Sequence, residues 1–350
     1  MIIRFFRTHP STGFHRRQGR RPTHLAWLWL GLFLLPVAAQ SEETLVFALT
    51  SAQTPQSLET SWRPFIDEMS KAIGRKVEAQ PHTDYAGAIW SLTENRAQVA
   101  MLGNRAAIEA VDRADCEIAV QTTDRNGSAG YYSYLIVHQS SNLNSAADVI
   151  RRANSLSFSF GDHNSTSGFT VPNYYLFSSQ GLDAQSIFKH LDYKDHESNL
   201  LAVAGGEVDV ATNNSENLSL FKLQHPAEAK TIRVIWESPL IQSDPVVWRK
   251  DLPDEVKRRL TAFLLAYARP APGKSPETLR HEQEILAGTS YAGFRPSSDA
   301  QLAPIRRIEL FRLRQTTEAN KVLPEEMKAR RLAEIDQKMR ELDAQSPLDP

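Results

Sequence analysis

Stretches typical of β-strands and of helices alternate along most of this 350-residue chain, and this alternation constrains the fold more than any other feature. The segment Thr44–Thr50 (TLVFALT) is rich in strand-forming residues. The apolar positions of the stretch that follows share one helical face: Trp62, Phe65, Met69 and Ile73. Gly74 then stands where a left-handed helix C-cap is expected. The pattern predicts an α/β protein with mainly parallel sheets and helices on both faces.

Further strand and helix units follow with connections of only a few residues. The predicted strands are Lys76–Gln80, Val99–Leu102, Tyr132–His138, Leu156–Phe160, Ile187–Tyr193, Val208–Ala211 and Thr231–Trp236. Helices are predicted after Asp84, at Ser145–Ala153 and at His196–Ala204. Two α/β lobes of roughly 100 residues each fit this length better than one very wide sheet.

Residues 1–39 have the pattern of a secretory signal peptide. Six arginines and no acidic residue precede or flank the apolar run Leu25–Leu35, and the small residues Val37–Ala39 follow. The run is eleven residues long, whereas a helix needs about 20 to cross a bilayer. We therefore expect cleavage near Ala39 and a mature protein in the periplasm.

The rest of the chain is acidic and contains one cysteine. Without the leader it carries 34 basic and 41 acidic residues, a net charge of −7. This balance argues against a nucleic-acid partner, because such binding rests on basic surfaces that neutralise phosphates. Cys116 allows no intrachain disulfide framework and no thiolate metal site, and we expect it to be a small, partly buried residue instead of a reactive thiol.

The final part of the chain is helical and heavily charged. It follows a cluster of helix-breaking residues near Pro270. A narrow apolar stripe runs along it: Leu332, Ile335, Met339 and Leu342. The stripe either docks on the protein's own body, which we take as the default, or forms a homodimer with a second copy through a short coiled coil.

A cluster of hydroxyl residues directly after a predicted strand is the most informative local motif. Ser165, Thr166 and Ser167 lie within the segment GDHNSTSGF at a predicted helix start. Such a start presents hydroxyls and unpaired backbone N–H groups at the positive end of a helix dipole, which suits an anion. Simple N-capping is the alternative, since it needs only one of the three hydroxyls. The spaced glycines and the lysine of a nucleotide P-loop are missing.

Other polar residues follow predicted strands, where α/β sheets bind ligands. His196 opens a predicted helix, Glu216 lies in the run DVATNNSEN, and Asp244 precedes a proline. Each also has an ordinary structural interpretation, as a helix-start residue, a solvated acid and a turn residue respectively.

Several longer segments resemble the periplasmic phosphonate-binding proteins, the solute receptors of phosphonate ABC importers within the wider phosphate, phosphite and phosphonate-binding family. The segments are DYAG, AVDRAD, GYYSYLIV, GDHNSTSGF, DVATNNSEN, SPLIQSDPVVWRKDL and FRPSSDAQLAPIR. They occur in order between about Leu45 and Phe311.

The resemblance implies a type II periplasmic binding fold, with two α/β lobes joined by a two-strand hinge and a helical C-terminal tail. It divides the chain into a signal peptide (1–39), lobe 1 (40–137), lobe 2 (138–234), a return segment of lobe 1 (235–296) and the tail (297–350). The crossings between lobes are expected near Tyr134–His138 and Val234–Trp236.

The resemblance also implies a ligand site between the lobes. Ser165, Thr166 and Ser167 would hold the phosphonate oxygens, with His196 beside them. Tyr85 and Tyr131 would reach the ligand from the other lobe, although the neighbouring Tyr132 is an alternative to Tyr131. Glu216 and Asp244 would receive an amino group.

These residues predict capture of an alkyl or aminoalkyl phosphonate, with 2-aminoethylphosphonate favoured, and its delivery to ABC transporter permease subunits. No metal or cofactor is implied. A phosphite- or phosphate-type oxyanion binder and a ligand-sensing partner of a membrane receptor are alternatives. A hydrolase with Ser165 or Ser167 as nucleophile and His196 as base is disfavoured, since the chain lacks a G-x-S-x-G elbow and a His/Asp metal cluster.

Overall fold

In the computed structural model, residues 44–50, 55–124, 127–128, 130–289 and 291–345 are described. The predicted signal peptide and its cleavage point lie outside the described residues. Among the described helices, none combines the length and the apolar character needed to cross a membrane.

The strands are β1 (Leu45–Leu49), β2 (Val77–Pro81), β3 (Val99–Met101), β4 (Cys116–Asp124), β5 (Gly130–Tyr131), β6 (Ser133–His138), β7 (Ser157–Phe160), β8 (His190–Tyr193), β9 (Val210–Asn214), β10 (Ile232–Glu237), β11 (Ile241–Gln242), β12 (Pro245–Arg249) and β13 (Tyr291–Pro296). The helices are α1 (Pro55–Ile73), α2 (Tyr85–Thr93), α3 (Asn104–Arg113), α4 (Ala146–Arg152), α5 (Val171–Leu176), α6 (Ala184–Ile187), α7 (His196–Ala204), α8 (Ser215–Gln224), α9 (Pro226–Ala229), α10 (Asp254–Ala266), α11 (Pro276–Ala287), α12 (Ala303–Ala319) and α13 (Glu325–Gln345).

Two larger sheets organise the described residues. The first has the strand order β13-β4-β12-β3-β1-β2, and the second has the order β10-β6-β9-β7-β8. The prediction of mainly parallel sheets is wrong, because both sheets are mixed. The chain crosses from the first sheet to the second at β6 and returns to the first sheet at β12. Each of these two strands runs antiparallel to both of its neighbours. Strand propensity reports burial and shape but not direction, so the sequence pattern could not show this.

The predicted apolar face of α1 packs against the first sheet. Trp62, Phe65, Met69 and Ile73 are all buried there. The Phe65 ring stacks on Phe294 with centroids 5.6 Å apart. Gly74 ends the helix in the left-handed conformation, with φ of 68°, as the sequence predicts.

A short pair of antiparallel strands, β5 and β11, lies at the two crossings between the larger sheets. Tyr131 pairs with Ile241, and Gly130 pairs with Gln242. A Cβ atom on Gly130 would lie 2.1 Å from the carbonyl oxygen of Ile241, so this pairing requires glycine. The predicted crossing stretches near 134–138 and 234–236 instead pair with each other inside the second sheet. Both are apolar enough to be strands, and only their long-range pairing reveals which sheet they join.

The C-terminal helices pack against each other. Ile335 on α13 is 3% exposed, and its neighbours along the stripe are partly buried against α12. Ion pairs join Arg307 to Asp343 at 2.7 Å and Arg314 to Asp336 at 2.8 Å. Of the two alternatives for the stripe, the structure shows docking on the protein's own body.

Truncating Ile335 to alanine is expected to lower the free energy of unfolding by about 2 kcal/mol, the low end for buried aliphatic side chains, because the flanking stripe residues are only partly buried. Urea denaturation measures the effect. Met327 lies on the same helix and is 57% exposed, so M327A is the matched control and should change little. Equal effects of the two variants would show that α13 is not docked in solution.

Candidate functional site

The hydroxyl cluster forms the start of a π-helical turn, Thr166–Thr170, which follows β7. Ser165 caps the turn, since its Oγ accepts a hydrogen bond from the Gly168 N–H at 3.0 Å. Gly161 and Gly168 are in backbone contact, and a Cβ atom on Gly161 would lie 2.7 Å from the Cα of Gly168. The turn is therefore held against the second sheet in a conformation that needs both glycines.

Further hydrogen bonds fix the carbonyl groups of this turn. The Ser133 hydroxyl donates to the Ser167 carbonyl at 2.6 Å, and the Thr212 hydroxyl donates to the Gly168 carbonyl at 2.6 Å. Because these carbonyls are engaged from the sheet side, the hydroxyls of Ser165, Thr166 and Ser167 are presented on a rigid backbone. All three residues are at most 2% exposed.

His196 and Asn214 stand beside the turn. His196 Nε2 lies 3.3 Å from Ser165 Oγ, and the Asn214 side-chain amide donates to Ser167 Oγ at 3.1 Å. The orientation of Asn214 is fixed, since its Oδ1 accepts from the Asn217 N–H at 2.8 Å. Burial lowers the pKa of His196 to about 4, although Asp195 opposes this shift, so the imidazole is neutral near pH 7.

Two carboxyl groups complete the site, of which Glu216 is buried and Asp244 is partly buried. Glu216 is 7% exposed at the start of α8, and its Oε1 has no hydrogen-bond partner among the described residues. Asp244 accepts a hydrogen bond from the Tyr131 hydroxyl at 2.8 Å. Tyr131 is therefore the tyrosine of the Tyr131–Tyr132 pair that reaches the acids.

Both carboxyl groups have raised pKa values. Burial raises the pKa of Glu216 well above its usual range, and the negative charges of Asp244 and Asp124 raise it further. Burial also raises the pKa of Asp244, and the hydrogen bond from Tyr131 lowers it in part. Two buried acids without a cation hold a proton more tightly than water-exposed ones, so the pair is suited to receive a cationic group.

Gly103 is the point where the two halves of the site meet. A Cβ atom placed on it would lie 3.1 Å from Thr166 Oγ1, 3.6 Å from the Tyr85 hydroxyl and 3.9 Å from Asp244 Oδ1. The Arg105 N–H also donates to Thr166 Oγ1 at 2.9 Å, which links α3 of the first lobe to the turn of the second. The hydroxyl turn and Glu216 of the second lobe thus meet Tyr85 and Asp244 of the first lobe in one place.

Tyr85 links the same groups. Burial raises the pKa of its hydroxyl, the negative charges of Asp244 and Asp162 raise it further, and hydrogen bonds with Ser165 and Thr50 oppose the shift. With Glu216 and Asp244, Tyr85 lines a small cavity beside the acid pair. The structure therefore brings all eight predicted site residues into one region.

Two side chains of this region were not singled out from the sequence. Asn214 lies in the polar run DVATNNSEN, so its position after a strand was a usable signal. Tyr291, at the start of β13, lines the cavity and is 8% exposed. No local pattern marks it, because it reaches the site only through the pairing of β13 with β4.

Neutral donors and acids meet in this site, and among the described residues His196 is not placed as the base of a hydrolase. His196 Nδ1 is buried with no hydrogen-bond partner among the described residues, so no acid orients the imidazole as a base. Its lowered pKa also makes it a weak base. Within the described residues, no group of three or more His, Cys, Asp or Glu side chains is placed to hold a metal ion.

A fold of two α/β lobes joined by paired strands, with a small polar site between the lobes, defines a type II periplasmic solute-binding protein. The family model "ABC transporter, phosphonate, periplasmic substrate-binding protein" matches residues 47–302, and the chain belongs to this family. The chain is thus a phosphonate-binding component of an ABC transporter and not an enzyme.

Individual relatives agree. The phosphonates-binding periplasmic protein of Escherichia coli K12 is 42% identical over 315 residues, which cover 90% of each chain. The structure of a binding protein component of an ABC phosphonate transporter from Pseudomonas aeruginosa matches with a TM-score of 0.79 and 39% identity, covering 87% of this chain and 98% of that one. PhnD1 from Prochlorococcus marinus, solved with methylphosphonate, shares the fold, with a TM-score of 0.65 and 19% identity over 76% of this chain and 97% of that one.

Proposed function

We propose that this chain captures 2-aminoethylphosphonate in the periplasm and delivers it to the permease subunits of an ABC importer. The observation that carries the proposal is the convergence at Gly103, where Thr166, Tyr85 and Asp244 surround one point. A zwitterion with an anionic and a cationic end, separated by two carbon atoms, matches neutral donors on one side and two acids on the other.

The hydroxyl turn binds the phosphonate group in this proposal. Ser165 Oγ and Ser167 Oγ already accept hydrogen bonds, from Gly168 N and Asn214 Nδ2, so their O–H groups can donate to phosphonate oxygens. Such charge-assisted hydrogen bonds contribute about 1.5–3 kcal/mol each. The neutral imidazole of His196 adds no positive charge, so the turn relies on hydrogen-bond donors for its attraction to the anion.

Glu216 and Asp244 bind the ammonium group. With that cation present, both carboxyl groups ionise, and the positive charge of the ammonium offsets the repulsion between them. A ligand without an amine leaves the pair without a counter-ion, which is costly in a buried site. This asymmetry favours aminoalkyl phosphonates over methylphosphonate, phosphite and phosphate.

Binding closes the gap between the lobes about the β5–β11 strand pair, and the closed form docks on the permease. In this proposal the closed form is held in part by the hydrogen bond from the Arg105 N–H of α3 to Thr166 Oγ1 of the turn, which measures 2.9 Å. Closure also removes water from the ligand, which strengthens the hydrogen bonds to its charged ends.

Calorimetric titration with 2-aminoethylphosphonate, methylphosphonate, phosphite and phosphate tests the proposal. We expect 2-aminoethylphosphonate to bind at least 100-fold more tightly than the other three, and unchanged ligand should be recovered afterwards. Equal affinity for methylphosphonate would contradict the amine site, and release of inorganic phosphate would indicate hydrolysis.

Binding of 2-aminoethylphosphonate is expected to weaken as the pH falls from about 8 to about 5. The acid pair has raised pKa values in the free protein. At lower pH a larger fraction of the pair is therefore protonated, and the ammonium must displace that proton to bind. His196 stays neutral over most of this range, because its pKa is about 4.

Calorimetry in two buffers of different ionisation enthalpy should show proton release on binding. Methylphosphonate is the control ligand, since it carries a titrating phosphonate but no amine, and its affinity should depend less steeply on pH. Identical pH profiles for the two ligands would show that the acid pair does not bind the amine.

A further inference from the structure

The small cavity beside the acid pair is also lined by apolar side chains. We call the part of the cavity lined by four of them, all buried, the amine recess: Leu58, Trp62, Leu220 and Tyr291. They line the same cavity as Glu216 and Asp244. None of them is needed to hold a primary ammonium, because two carboxylates already face that group.

The recess is built from the three elements α1, α8 and β13, and α8 also carries Glu216. Glu216 and Leu220 are four residues apart on α8, and Leu58 and Trp62 are four residues apart on α1, so each pair shares one helix face. Tyr291 begins β13, and its ring lies 6.1 Å from the Trp62 ring. The recess is therefore a fixed wall directly beside Glu216.

We propose that the amine recess receives one methyl-sized substituent on the ligand's nitrogen, so that the protein also takes N-methylated aminoalkyl phosphonates. This inference rests on the proposed function. An N-methyl ammonium keeps its positive charge for Glu216 and Asp244, and it replaces one N–H donor by a methyl group. Methylated ammonium groups also interact favourably with aromatic rings such as those of Trp62 and Tyr291.

The size of the cavity limits the substituent. Its volume is about 30 Å³, which is room for about two groups of the size of a water molecule. An ammonium nitrogen and one methyl group fill that space. A branched substituent is larger than this space, so it would have to push Leu58, Trp62 or Tyr291 aside. These side chains are only 3% to 8% exposed and have little room to move.

Titration of the wild-type protein with three ligands that differ only at nitrogen tests the inference: 2-aminoethylphosphonate and its N-methyl and N-isopropyl derivatives. We expect the N-methyl ligand to bind within tenfold of the parent and the N-isopropyl ligand to bind at least 100-fold more weakly than the parent. A loss above tenfold for the N-methyl ligand would overturn the inference. A smaller loss than 100-fold for the N-isopropyl ligand would also overturn it, since substituents would then point away from the recess.

The same titration separates this inference from the proposed function. If 2-aminoethylphosphonate itself fails to bind, the proposed function is wrong. If the parent binds and the N-methyl ligand does not, only the recess assignment is wrong.

A variant pair gives a second test. W62F enlarges the recess and should improve N-isopropyl binding at least tenfold relative to the parent ligand. Trp248 is the matched control, because it is also buried in the first lobe but donates to Glu117 at 2.9 Å and does not line the cavity. If W248F shifts this ratio as much as W62F does, or if W62F leaves the ratio unchanged, the recess is not where the substituent lies.

Discussion

Glu216→Gln is expected to weaken binding of 2-aminoethylphosphonate by about 2–5 kcal/mol, or roughly 30-fold to several thousand-fold. Glutamine keeps the shape of the side chain and removes its charge. The ammonium group would then face one carboxylate instead of two inside a buried site. Isothermal titration calorimetry measures the change directly.

Two comparisons make this result specific. Glu207 is exposed on the same lobe, so E207Q should leave the affinity unchanged. The E216Q variant should not unfold more easily than the parent, because the substitution removes one of two mutually repelling buried acids. If E216Q binds 2-aminoethylphosphonate as tightly as the parent does, the ammonium is not bound at Glu216.

Ser167→Ala is expected to weaken every phosphonate ligand by about 1.5–3 kcal/mol, roughly 10- to 150-fold, because one charge-assisted hydrogen bond to the anion is lost. The effect should be the same for 2-aminoethylphosphonate and methylphosphonate, since both carry the phosphonate group. Competition titrations give the affinity of each ligand for the S167A variant and for the parent protein, and so measure this loss.

Ser159 provides the control for this substitution. It is fully buried on β7, directly before the segment that leads to the turn, and is not one of the three hydroxyl residues of the turn. S159A should leave both affinities unchanged. A loss in S167A that is confined to the amine-bearing ligand would contradict the assignment of this turn to the phosphonate.

Local sequence rules predicted the elements whose limits depend on nearby residues. The helix at His196–Ala204 has the predicted limits, and Asp84 caps α2 by accepting from the Gly87 N–H at 2.7 Å, as expected. Cys116 is fully buried, whereas the sequence predicts a partly buried residue. Caps and apolar faces act within a few residues, so the chain itself specifies them.

Features that depend on distant pairing were not predictable in this way. The antiparallel entry of β6 and β12, and the crossings at β5 and β11, are set by contacts between residues more than 70 positions apart, such as Tyr131 and Ile241. Alternating or continuous apolar runs look the same in either direction. The sequence pattern therefore places the crossings within β6 and β10, whereas the structure has them in the neighbouring strands β5 and β11.

The candidate site also contains features that nearby residues specify and features that depend on distant parts of the chain. The hydroxyl turn was visible because three consecutive residues follow a strand at a helix start. Glu216 lies in a polar run after a strand and Asp244 precedes a proline, but only the family resemblance gives these two acids a shared role. Neither the local sequence pattern nor the family resemblance identifies Tyr291. Its position in the cavity depends on the pairing of β13, the last of the described strands, with β4.

A thermodynamic cycle on the amine tests the central claim most directly. It compares the affinities of 2-aminoethylphosphonate and ethylphosphonate, which differ only in the ammonium group, for the wild-type protein and for E216Q. We predict a coupling free energy of at least about 2 kcal/mol between the ammonium and Glu216. Additive effects, with a coupling free energy near zero, would show that Glu216 does not bind the ammonium end of the ligand.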